Sequence, residues 1–178
     1  PFVGTDQAIR DLEMFRQAIG APKVWMYGES YGTQFVQAYA TQFPQAVRGV
    51  VLDGVVDLHL DAEGFYRRYV TASEALLAET FAACSGMPGC AADMGADAAF
   101  FYDALATRLA SAPAQVPFAL ADGTTRTRNL TLGVLEANAF YALYSPDARA
   151  GFLRVLAAAN RGNLVPMLRL GYANMYID

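Results

Sequence analysis

The chain is 178 residues long, 54% hydrophobic and only 17% charged, a composition that lets a chain of this size bury roughly 70% of its unfolded surface and excludes intrinsic disorder. Its formal net charge is −4 and its basic residues are scattered, so it carries no electrostatic footprint for nucleic acid or for an anionic membrane surface. No stretch approaches the ~18 consecutive apolar residues of a membrane helix, and no solenoid repeat period is present.

From the N-terminus, Thr5 is placed to cap a helix whose apolar positions Ile9, Leu12, Phe15 and Ile19 recur at three-to-four spacing until Gly20 and Pro22 stop it. Val24 to Tyr27 is a short apolar run of strand formers ending at Gly28, the pattern of a buried parallel strand. A helix from about Tyr31 to Phe43 follows and stops before Pro44. Val50, Val51 and Leu52 form a second strand that ends at Asp53-Gly54. Helix, strand, helix, strand with short connections reads as α/β with a right-handed crossover between parallel strands. Two strands alone make no stable doubly wound sheet, so residues 1–57 represent part of one.

After Leu58 the texture becomes helical. Phe65 to Phe81 predicts a helix, Cys84 to Cys90 a Gly/Pro/Cys loop, and Phe101, Leu105 and Leu109 the apolar face of another helix. Val116, Phe118 and Leu120 alternate as in a strand, Asp122-Gly123 supplies a turn, and Thr124 to Arg128 returns as the hairpin partner. Ser145-Pro146-Asp147 opens a further helix that Gly162 closes. Residues 58–178 are thus expected to form a mostly helical unit with a small hairpin, with the boundary near Asp57.

The chemistry concentrates at Gly28-Glu29-Ser30-Tyr31-Gly32, a Gly-x-Ser-x-Gly motif between a predicted strand and a predicted helix. In that context the serine sits on a strained turn with its hydroxyl protruding, and the flanking glycines let strand and helix approach. Ser30 is the expected nucleophile. The helix N-terminus favours an oxyanion, which makes the backbone N–H of Tyr31 the expected donor. Glu29 should point away from Ser30 and pack beneath the turn. His59 is the single histidine and Cys84 and Cys90 are the two cysteines, which excludes a Cys/His zinc cluster; no metal and no cofactor is called for.

Tyr-Gly-Glu-Ser-Tyr-Gly-Thr at 27–33, Tyr39-Ala40, Phe43-Pro44 and Val51-Leu52-Asp53-Gly54-Val55-Val56-Asp57 resemble tripeptidyl aminopeptidase-like, proline iminopeptidase-related α/β-hydrolases. Cys84, Cys90-Ala91-Ala92-Asp93, Tyr102-Asp103-Ala104-Leu105 and Arg161-Gly162-Asn163-Leu164-Val165-Pro166 resemble that family's helical cap. The resemblance implies an α/β-hydrolase core segment with a nucleophile elbow, followed by the cap. It also implies a bacterial serine peptidase or esterase, secreted or in the cell envelope, acting on the N-terminal end of a peptide. The family places the triad acid and histidine after the cap, beyond Asp178, and the second oxyanion donor before Pro1. A carboxylesterase or lipase of the same fold, and a non-catalytic hydrolase-fold binding protein, are the alternatives. A peptide or ester is the expected partner, without nucleic acid or membrane insertion, and the oligomeric state is open.

Ser30, Asp53 or Asp57, and His59 satisfy the chain order of a triad within these residues. No strand intervenes to return the imidazole to the elbow, so His59 reads as a polar residue at the entrance to the helical unit, and Asp53 and Asp57 as turn residues. Tyr66, Tyr69, Tyr141, Tyr144, Tyr172 and Tyr176 read mainly as packing of that unit, and Thr131 as a helix cap inside the sequon-like Asn129-Leu130-Thr131. Cys84 and Cys90 flank a short loop and are expected to pair, implying an oxidising compartment, against the alternative of two free thiols.

Overall fold

The computed structural model describes residues 4–95 and 97–175. Tyr176, named above, lies outside them. The chain divides into two compact units, Pro1–Arg67 and Arg68–Asp178.

The first unit is built in the order α1 (Thr5–Ala18), β1 (Val24–Glu29), α2 (Tyr31–Gln42), a 3-10 turn at Pro44–Ala46, β2 (Val47–Asp53) and the start of α3 (Ala62–Gly86). β1 and β2 are parallel, in a register that sets Met26 beside Val50 and Glu29 beside Asp53, with an irregularity after Val24. Parallel pairing needs a crossover, and α2 supplies it. Its Val36 and Tyr39 are buried, and Tyr39 packs with Ile9 of α1 and Ala46 against Leu12, Val24, Met26 and Phe43. The cap of α1 differs from expectation. Gly4 is the N-cap, its carbonyl accepting from the N–H groups of Gln7 and Ala8 at 3.1 Å, and Thr5 is the first helical residue. The apolar face of α1 is also shorter than its periodicity predicts, because Phe15 and Ile19 are exposed.

A polar cluster ties α1 to α2. The Glu13 carboxylate accepts from Arg16 Nε and Nη2 at 2.8 and 2.6 Å, from Gln17 Nε2 at 2.7 Å and from Tyr39 Oη at 2.7 Å. The Arg16 guanidinium and the Tyr39 hydroxyl bond to it hold the Glu13 carboxyl down at about 2, from an ordinary 4.5.

The second unit contains the remainder of α3, then α4 (Pro88–Met94), α5 (Ala98–Ser111), the hairpin β3 (Ala114–Ala119) and β4 (Thr125–Leu130), α6 (Leu132–Ala142), α7 (Pro146–Asn160) and α8 (Val165–Met175). Leu130, Leu135, Phe152, Leu156, Met167 and Leu168 are fully buried at its centre. Helix starts follow side-chain chemistry: Asp97, Thr131 and Ser145 each accept from the N–H three residues on. α6 and α8 approach closely at Gly171, where a Cβ would lie 2.4 Å from Val134 Cγ1. Buried Asn138 is satisfied there, donating to the Met167 carbonyl at 2.8 Å and accepting from Asn174 at 3.0 Å.

The expected loop from Cys84 to Cys90 is instead a junction of two helices. Cys84 lies in the last turn of α3 and Cys90 in α4, with Pro88 as the first residue of α4, where its missing N–H costs nothing. Cys84 and Cys90 form a disulfide with their Cα atoms 5.2 Å apart. Several tyrosines expected as packing are exposed, including Tyr66, Tyr141 and Tyr144, whereas Tyr172 sits edge-on to Phe118 with the Arg128 guanidinium over its ring. Among the described residues no helix is long and apolar enough to cross a membrane.

Candidate active site

β1 ends at Glu29 and α2 begins at Tyr31, leaving Ser30 alone at the junction. Its backbone has φ 52° and ψ −121°, the one non-glycine residue at positive φ among those described. Such a conformation costs a β-carbon-bearing residue about 1–3 kcal/mol and persists only where its surroundings enforce it. Here they do. Ser30 N–H donates to the Asp53 carbonyl at 2.9 Å, joining the turn to the end of β2. The Ser30 carbonyl accepts from Thr33 N–H at 3.0 Å and from Thr33 Oγ1 at 2.7 Å.

Thr33 itself is fully buried, and its Oγ1 also accepts from Val56 N–H at 2.9 Å. Gln37 Nε2 completes the brace by donating to the carbonyls of Thr33 and Val56 at 3.1 and 3.0 Å. Gly28 is needed for a different reason: a Cβ there would meet the Gly32 carbonyl oxygen at 2.4 Å and Thr33 N at 2.9 Å. Gly32 carries no such restriction, since nothing among the described residues lies within 4 Å of its Cβ position. The expectation that both glycines relieve a close approach therefore holds for Gly28 alone.

The Ser30 side chain makes no capping hydrogen bond to α2. As the first helical residue, Tyr31 has an N–H outside the intrahelical ladder, at the end of α2 where the helix field favours negative charge. Its ring is half-exposed and is anchored through a 2.7 Å contact between its hydroxyl and Thr5 Oγ1. Beside the two residues opens a cavity of about 490 Å³, walled by Gln34, Val56, Phe65 and Tyr66, with Asp57 and Asp61 on its border. Glu29 is exposed, rather than packed beneath the turn.

The acids and the histidine do not gather at Ser30. Asp53 Oδ2 accepts from the Tyr27 hydroxyl at 2.9 Å, a bond that pushes the Tyr27 phenol up. His59 Nδ1 lies 3.1 Å from Asp57 Oδ1, but its imidazole is 96% exposed and borders a separate depression beside Val36 and Ala40. Asp57 thus reaches the Ser30 cavity while His59 does not border it.

Residues 3–87 match the α/β hydrolase fold family, a span that contains β1, the Ser30 turn, α2 and β2. The chain carries an α/β hydrolase segment. The chain is 32% identical over 180 residues to serine protease Hip1 of Mycobacterium tuberculosis, a match covering 98% of the chain and 33% of that protein. It is 42% identical over 57 residues to a tripeptidyl aminopeptidase of Streptomyces lividans, covering 32% of the chain and 11% of that protein. The chain thus spans 33% or less of the length of these curated relatives.

Proposed function

We propose that Ser30 is the nucleophile of an acyl-enzyme hydrolase that releases short peptides or amino acids from peptide N-termini. The observation that carries this reading is the backbone of Ser30: a lone strained residue between strand and helix, bordering a cavity, with its side chain uncommitted to capping. In the reaction, Ser30 Oγ adds to the scissile carbonyl carbon as its proton passes to a base. The oxyanion so formed faces the Tyr31 N–H. Collapse breaks the C–N bond and the amine leaves with a proton, after which water adds to the acyl ester, releases the carboxylic acid and restores the Ser30 hydroxyl.

His59 is not that base, because its ring is turned to Asp57 and to solvent. The reaction further requires a histidine base, its acidic partner and a second oxyanion N–H besides Ser30 and Tyr31. The names of the relatives, a serine protease and a tripeptidyl aminopeptidase, support amide hydrolysis over ester hydrolysis. The Cys84–Cys90 disulfide supports an oxidising, extracytoplasmic setting, and the bacterial relatives support a bacterial one. Turnover by the full-length protein of chromogenic peptides with a free N-terminus, compared with their N-acetylated forms and with short acyl esters, tests the substrate class. Free peptides are expected to be cleaved fastest; faster ester cleavage that ignores N-acetylation would replace the exopeptidase with an esterase.

A further inference from the structure

We propose that Thr33 is a positioning residue, whose hydroxyl clamps the Ser30 carbonyl and thereby aims the Tyr31 N–H at the oxyanion. The proposal rests on Ser30 as the nucleophile. A threonine one turn into a helix commonly returns its hydroxyl to a carbonyl three or four residues back, so the 2.7 Å bond to Ser30 would be unremarkable by itself. Two features set Thr33 apart: its complete burial, and the second bond at the same oxygen, received from Val56 N–H on the segment that follows β2. The hydroxyl is therefore fixed from both sides, donating to the turn and accepting from a segment 23 residues further along the chain.

What the clamp controls follows from peptide geometry. The Ser30 carbonyl and the Tyr31 N–H belong to one planar trans peptide and point in opposite directions. The angle that orients this plane against the Ser30 side chain is ψ of Ser30, held at −121°. Fixing the carbonyl thus fixes the direction of the N–H relative to the nucleophile. A preformed donor must stand 2.7–3.1 Å from the place where the oxyanion will form, so a small rotation of the plane weakens transition-state binding while leaving ground-state contacts intact. Thr33 N–H also bonds the same carbonyl, at 3.0 Å, so loss of the hydroxyl loosens the plane without releasing it.

The test compares Thr33→Val and Thr33→Ser in the full-length protein, with each rate normalised to active sites counted by fluorophosphonate labelling run to completion. Thr33→Val is expected to lower kcat about tenfold, less than outright loss of an oxyanion donor, and to leave KM within about twofold. It should weaken a peptide boronic acid, which mimics the tetrahedral oxyanion, by the same factor, and leave binding of the product peptide unchanged. Thr33→Ser, which keeps the hydroxyl, should restore all three. Should Thr33→Val fail to fold, Thr33→Ala is read by the same criteria. Unchanged kcat, equal weakening of boronic acid and product peptide, or absence of rescue by serine would overturn the proposal. Ser30→Ala separates the two readings: activity surviving that change removes the nucleophile itself, whereas a silent Thr33→Val beside an inactive Ser30→Ala removes only the clamp.

Discussion

The carbonyl oxygen of Gly32 stands 2.4 Å from the point where a Cβ on Gly28 would be, so the first turn of α2 rests directly on the last residues of β1. Gly28 and Gly32 are equivalent in the motif and unequal in the fold. Gly28→Ala must push the helix start off the strand, and is expected to destabilise by more than about 2 kcal/mol and to abolish activity. Gly32→Ala lies in a helix with open space around the new methyl group, and is expected to change stability by no more than about 1 kcal/mol, with helix propensity on its side. Thermal unfolding of the two variants checks the contrast; equal losses would contradict it.

The Glu13 cluster makes the docking of α1 on α2 pH-dependent in a definite direction. Its folded carboxyl is depressed to about 2 from 4.5, so the stabilisation is fully present above about pH 5 and is lost as pH falls toward 2. Glu13→Gln cannot pair with Arg16 and should be less stable at neutral pH. Denaturant titrations across that range should show the gap between the two proteins closing on acidification; a gap independent of pH would contradict the cluster's ionic character.

The pairing of Cys84 with Cys90 closes a loop of sequence separation 6, for which the chain-entropy account gives about 2 kcal/mol. Under denaturing conditions neither cysteine should take up an alkylating reagent until a reductant is added, and reduction should lower the unfolding temperature. Immediate modification of both thiols would contradict the disulfide and remove the support for an oxidising compartment.

How much of this was legible in the sequence depended on how local each signal is. The turn at Ser30 was readable because its glycines, the preceding apolar run and the following helix are contiguous, and the caps at Thr131 and Ser145 because they act three residues away. The bracing of Thr33 was not, since its second hydrogen bond comes from Val56, which no periodicity connects to the elbow. The Cys84–Cys90 stretch reads as a loop because glycine and proline signal a break; the break is a single residue, Met87, between two helices. The N-cap of α1 was displaced by one residue because a capping threonine and a threonine that begins a helix look alike, and Thr5 spends its hydroxyl on Tyr31.

The most direct test of the central claim is the site of fluorophosphonate modification in the full-length protein, read by peptide mass spectrometry with Ser30→Ala as the partner sample. The backbone at Ser30 predicts one labelled peptide, modified at Ser30, with both the label and peptide turnover gone in Ser30→Ala. A label that persists in Ser30→Ala on another serine, with turnover retained, would contradict it.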